Sequence, residues 1–129
     1  MKKLLAATLV SAVLAVGCAG MKKADMPDAP TRTVDGVLIG PNGNTLYVFS
    51  RDVAGSNASA CNGACATNWP PLMAPGSAKS MGGYAVITRA DGTKQWAYNG
   101  WPLHYWSKDT KAGDRTGDGV GGNWKIARP

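Results

Sequence analysis

The chain contains no glutamate, so all eight of its acidic residues are aspartate. It has one histidine, one phenylalanine and three cysteines. These shortages restrict its chemistry. A general acid and base built from two carboxylates would have to draw on aspartates that mostly sit where turns need them. A serine nucleophile would depend on His104, the sole imidazole. No apolar run reaches the roughly 20 residues that a membrane-spanning helix requires. Basic residues are scattered singly through the body of the chain, without the patch or stripe of a nucleic-acid-binding surface.

What is present begins with an address. Met1, Lys2 and Lys3 form a short cationic start, followed by the uncharged apolar run Leu4 to Val16. That run has the length of a secretory signal core. It ends in "LAVGC", where small residues lead to Cys18 and the pattern resembles a bacterial lipobox. Cys18 is therefore the expected lipidated N-terminus of the exported protein. Residues 1–17 are read as the signal peptide, and residues 18–32 as the lipidated cysteine with a flexible tether. Ala19 follows the cysteine where Gram-negative lipoproteins kept at the inner membrane carry aspartate, and that likeness implies the outer membrane. Loss of Lys2 and Lys3 leaves twelve basic residues against eight acidic, a balance of +4.

Residues 33–129 have room for one small domain whose core is marginal at this size. Turn formers dominate, with 17 glycines and 8 prolines in the chain. Short β-type runs lie between them. Gly36 to Ser50 reads as a hairpin about "PNGN". "YAVITR" and "KQWAY" read as a second hairpin about "ADG". "PLHYWS" and "NWKIA" supply further strands. Only "ASACNGACATNW" has helical character, and that irregular.

"LYVFSRD" (Leu46 to Asp52) returns almost unchanged as "LHYWSKD" (Leu103 to Asp109), and "NW" recurs at Asn68-Trp69 and Asn123-Trp124. The conserved order of these matches indicates an internal duplication. Repeat 1 spans about 36–72 and repeat 2 about 84–127. The expected fold is mostly β: a small single domain of antiparallel strands from two related repeats, with one short irregular helical segment around the cysteine pair. Related strands could pair about a pseudo-twofold axis and share one core. Asp52 and Asp109 end their strands, where a carboxylate fixes the following turn by accepting backbone N–H bonds.

These residues resemble a family of secreted bacterial repeat lipoproteins of unknown function. Tyr47, Phe49 and Asp52 fit its Tyr-x-(Phe/Trp/Tyr)-x-x-Asp motif, and Trp106 and Asp109 repeat it. His104 stands where the second copy would carry tyrosine. "CNGACATNWPPL" and "GDRTGDGVGGNW" are similar to its other segments. The resemblance implies fold and export, and no activity comes with it.

Three constellations carry chemical options. Cys61 and Cys65, outside the cytoplasm, favour a structural disulfide, with Gly63 permitting the tight turn. The alternative is a soft copper or redox site using Cys61, Cys65 and His104. Asp109, Asp114 and Asp118 lie among glycines but lack the pattern of a calcium loop. Five tryptophans either build the core or offer stacking faces to a sugar, with Trp101 in its turn the best placed for exposure. The leading expectation is a non-enzymatic lipoprotein of the cell envelope that binds or scaffolds an envelope protein or glycan, with no catalytic residue, resident cofactor or metal. A copper- or redox-handling protein is the second expectation, and an envelope hydrolase the third.

Overall fold

The structure, a computed structural model, describes residues 28–129. The signal peptide, Cys18 and most of the tether lie outside the described residues. The elements run β1 (Arg32–Val34), β2 (Val37–Ile39), β3 (Tyr47–Phe49), α1 (Ala64–Asn68), β4 (Tyr84–Thr88), β5 (Lys94–Tyr98), β6 (Trp101–Pro102) and β7 (Trp124–Ile126). They form three small antiparallel sheets: β1 with β2, β3 with β7, and β4-β5-β6.

The hairpin about "ADG" forms as read, with β4 and β5 paired from Tyr84↔Tyr98 to Thr88↔Lys94. The first hairpin differs from its expectation. It turns at Asp35-Gly36, both at positive φ (49° and 76°), and joins β1 to β2. Across "PNGN" the chain still doubles back, through the Ile39↔Thr45 bridge and a bond from Leu46 N to Leu38 O. β3 then leaves to pair with β7. The folded part also starts slightly earlier than read. Thr31 is buried, and its hydroxyl hydrogen-bonds the Tyr84 hydroxyl. Of "PLHYWS" only Pro102 falls in a strand, the two-residue β6, and the rest pairs through isolated bridges of His104 with Tyr47 and Pro71.

The duplication is written into the hydrogen bonds. Tyr47 and His104, equivalent positions of the two phrases, exchange both backbone bonds: Tyr47 N to His104 O at 2.7 Å and His104 N to Tyr47 O at 3.0 Å. That is a hydrogen-bonded antiparallel pair centred on a pseudo-twofold axis. Around it the bonds come in matched sets. Ser50 N donates to Asn123 O, and Ser107 N to Asn68 O. Ala127 N donates to Leu46 O, and Leu72 N to Leu103 O. Each phrase therefore pairs with the end of the other repeat. The repeats are interlocked rather than stacked.

The same symmetry organises the core. Leu38, Leu46, Leu72 and Leu103 pack with Tyr84, Trp96 and Tyr98 in one cluster. In the other, Phe49, Trp124, Trp69 and Trp106 form a continuous stack. The central pair, Trp69 and Trp124, lies at 3.8 Å between ring centroids and 5° between planes. Phe49 covers Trp124 at 4.4 Å and Trp106 covers Trp69 at 3.9 Å. Tyr47 meets Trp69 edge-on, and His104 meets Trp124 in the same way. Large rings let a domain of this size bury much apolar area with few residues.

Candidate functional site

The motif aspartates face inward. Asp109 Oδ2 accepts a 2.6 Å bond from the Tyr47 hydroxyl, and Oδ1 accepts bonds from Thr116 N and Oγ1. Gly117 N donates to the Tyr47 oxygen, and a Cβ on Gly117 would lie 2.9 Å from the Tyr47 and Trp69 rings. Burial, then the bond to Asp109, raises the Tyr47 phenol well above its ordinary pKa. Asp52 is built the same way: it accepts Ala60 N at 2.6 Å and the Ser59 hydroxyl at 3.1 Å. Across the axis, however, stands His104, whose ring is shorter than tyrosine. Ser59 Oγ spans the difference, 3.5 Å from His104 Nε2. Burial raises the Asp52 carboxyl, opposed by its bonds to Ala60 and Ser59 and by the Arg89 charge.

A buried polar chain continues from there. Arg89, Gln95 and His104 are all nearly inaccessible. Arg89 donates to Gln95 Oε1 at 2.7 Å, which fixes the orientation of the amide, and also to the Cys61 carbonyl and Asn62 Oδ1. Gln95 Nε2 then donates to Leu103 O at 2.8 Å and to His104 Nε2 at 3.2 Å. His104 Nε2 is thus an acceptor, which puts the ring proton on Nδ1. Nδ1 meets no partner in hydrogen-bond geometry, although the Pro102 carbonyl acts on it. Burial, then the Arg89 charge, depresses the imidazole to a pKa of about 3.

Serine, histidine and aspartate therefore touch, but in the order Asp52–Ser59–His104. A nucleophilic serine needs the imidazole between hydroxyl and carboxylate. Here the hydroxyl proton is aimed at the carboxylate, and the imidazole acceptor is already occupied by Gln95. With a pKa of about 3, that imidazole is also a feeble base at neutral pH. This chain of groups is suited to holding two repeats together.

Cys61 and Cys65 form a disulfide, with Cα atoms 5.2 Å apart. Gly63, at φ 59°, sets the bend before α1, which carries Cys65 and has no buried residue. In this form the sulfurs are not thiolates. His104 presents its accepting nitrogen to Gln95 and Ser59, and among the described residues no group of three His, Cys, Asp or Glu is placed to hold a metal. The carboxylates of the glycine-rich stretch are likewise dispersed: Asp114 takes Thr110 N and Lys111 N, and Asp118 takes Ile126 N. Alkylation of the exported, unreduced protein is expected to leave Cys61 and Cys65 unmodified, and prior reduction should add two labels by mass. Losing the bond should cost about 2 kcal/mol or less, because the closed loop is small.

The accessible features are rings and grooves. Trp69, Trp96 and Trp124 are buried, while Trp101 and Trp106 are half-buried. Lys108 Nζ sits 5.7 Å over the Trp106 ring. Trp101 borders a pocket of about 250 Å³ with Val48, Tyr98 and Arg128. The larger opening, about 610 Å³, lies between the β1–β2 hairpin and the 112–115 loop. Its floor includes Val37 and Ile39, and Arg32 and Arg115 line it.

Sequence reading missed Ser59, Thr116, Arg89 and Gln95. A usable signal existed for the first two. A hydroxyl residue stands seven positions after each motif aspartate, Ser59 after Asp52 and Thr116 after Asp109. Nothing local marks Arg89 or Gln95 as buried.

Two segments of the chain, residues 31–73 and 85–128, match one family described as a secreted repeat of unknown function. They cover most of the chain and coincide with the two interlocked halves. The protein belongs to that family, and it is an exported repeat protein. No curated protein and no solved structure gives a significant match.

Proposed function

We propose that the chain is a non-enzymatic binding module, anchored to the outer membrane through acylated Cys18 and holding a partner of the cell envelope. The observation that carries this reading is the division between inside and outside. Asp52, Asp109, Ser59 and His104, the residues suited to acid–base or nucleophilic work, are buried and engaged with one another or with the backbone. What faces solvent is a set of open grooves edged by rings and guanidinium groups, carried on short strands and the loops beside them. The lipobox-like leader supports the anchor, and among the described residues no helix is long and apolar enough to cross a membrane.

Cell fractionation tests the anchored part. The native chain is expected in the outer-membrane fraction, and Cys18→Ser should leave it, either as soluble protein or as unprocessed precursor. A Cys18→Ser chain that still fractionates with the outer membrane at the mature mass would refute the anchor.

A further inference from the structure

The duplication supplies an internal comparison for the surface. The groove lined by Arg32, Ile39, Gly43, Ala112 and Arg115 has a counterpart in the other repeat, lined by Ala85, Ala97, Gly100, Gly55 and Ala58. The correspondence is fixed by pairing: Arg32 faces Ile39 across β1–β2, as Ala85 faces Ala97 across β4–β5. The two grooves have diverged. The counterpart is closed to about 90 Å³, with Gly55 N bonded to Gly100 O at 2.9 Å. The first is open at about 610 Å³, within the range of small-ligand sites. Both arginines of the open groove are alanines in the closed one. The fold does not need guanidinium groups at these positions.

Among the described residues, neither guanidinium has a hydrogen-bond or ion-pair partner, although both are exposed on one groove. Between them lies apolar surface, including Val34, which is 42% exposed. Asp35 shares the rim, so the groove keeps a net charge of one positive unit. A planar guanidinium fork matches a carboxylate in two parallel bonds, and the apolar floor suits the body that carries it. We infer that the groove between the β1–β2 hairpin and the 112–115 loop binds a monoanionic carboxylate on an apolar body, held by Arg32 and Arg115. A phosphate dianion would overcompensate the single positive charge. The assignment rests on the binding-module reading and gives it a ligand chemistry.

The test is titration of the full acylated protein in nanodiscs with 3-phenylpropionate, its neutral amide and phenyl phosphate, followed by backbone amide shifts. Saturable binding of the carboxylate is expected, with shifts at Thr45, Ala112 and Gly113. The amide should bind at least tenfold more weakly. Arg32→Ala with Arg115→Ala, which copies Ala85 and Ala58 of the closed groove, should weaken carboxylate binding at least tenfold with an unchanged melting temperature. No saturable binding by the native protein, or equal binding by the double variant, overturns the groove assignment and leaves the module reading standing. Tighter binding of phenyl phosphate overturns the choice of carboxylate. Conversion of any probe to a new product would overturn the non-enzymatic reading itself.

Discussion

Replacing Trp69 or Trp124 with alanine is expected to remove about 3–5 kcal/mol of stability, the range for emptying a large buried ring site. That is a large share of the 5–15 kcal/mol or so that holds a domain together. Each ring is sandwiched: Trp69 between Trp124 and Trp106, and Trp124 between Phe49 and Trp69. Each is also met edge-on, by Tyr47 or His104. Because the two sit equivalently about the pseudo-twofold axis, their costs should agree within about 1 kcal/mol. Each deletion exposes the other ring, so the double variant should lose less than the sum of the two. Trp106→Ala should cost about half as much, since that ring is half-buried and only one face is covered by Trp69. Urea unfolding of the three single variants reads this directly. A Trp106→Ala loss as large as that of Trp69→Ala would mean that the stack is not centred on the axis.

The stack explains why the duplication could be read so early. Leu46, Phe49, Ser50, Asp52 and Trp69 recur at Leu103, Trp106, Ser107, Asp109 and Trp124 because each makes the bond or contact its partner makes. Positions that serve the axis twice are constrained twice. The local hairpin about "ADG" was equally legible, since its strands and turn adjoin in sequence. The exchange of strands was not. β3 meets β7 across almost the whole domain, and no local pattern distinguishes that partner from β2. The Asp35-Gly36 turn carried a signal, an Asp-Gly dipeptide suited to two residues at positive φ, but the three residues of β1 before it, mostly exposed, show no strand pattern. Arg89 reads as a surface cation in "VITRADG". It is buried because the Cys61 carbonyl, Asn62 and Gln95 converge on it from two distant segments. The grooves are invisible in sequence for the same reason, because Arg32 and Arg115 come to line one groove only when the repeats interlock.

Stability is expected to fall as pH is lowered from about 6.5 toward 3, and His104 is the cause. Its folded pKa is about 3, pushed down first by burial and then by Arg89, whereas an exposed imidazole titrates near 6.5. Within that window the unfolded chain takes up a proton that the folded chain refuses, so acid favours unfolding. Above pH 6.5 the imidazole is neutral in both states and its contribution is complete. The full loss is on the order of a few kcal/mol for so large a shift. Asp52 acts with the opposite sign. Its carboxyl is raised by burial, so the folded state holds a proton the unfolded state has released, and that contribution vanishes as pH rises through the folded value. Asp91 and Asp114, lowered chiefly by bonds to Thr93 and Thr110, add stability that is lost only below the ordinary carboxylate range. Arg89, Gln95, Ser59, Asp52 and Trp124 are the groups facing the imidazole or its immediate partners, and among them the raised Asp52 carboxyl opposes it. His104→Tyr, which copies Tyr47 in the other repeat, should bring a phenol hydroxyl to Asp52 and remove the imidazole titration. The urea midpoint of the native protein should fall between pH 7 and pH 5, while that of His104→Tyr stays level or rises slightly under Asp52 alone. His104→Gln, which keeps an acceptor for Gln95, provides the same flat profile if tyrosine strains the site. A native-like slope in both variants would take the acid sensitivity away from His104.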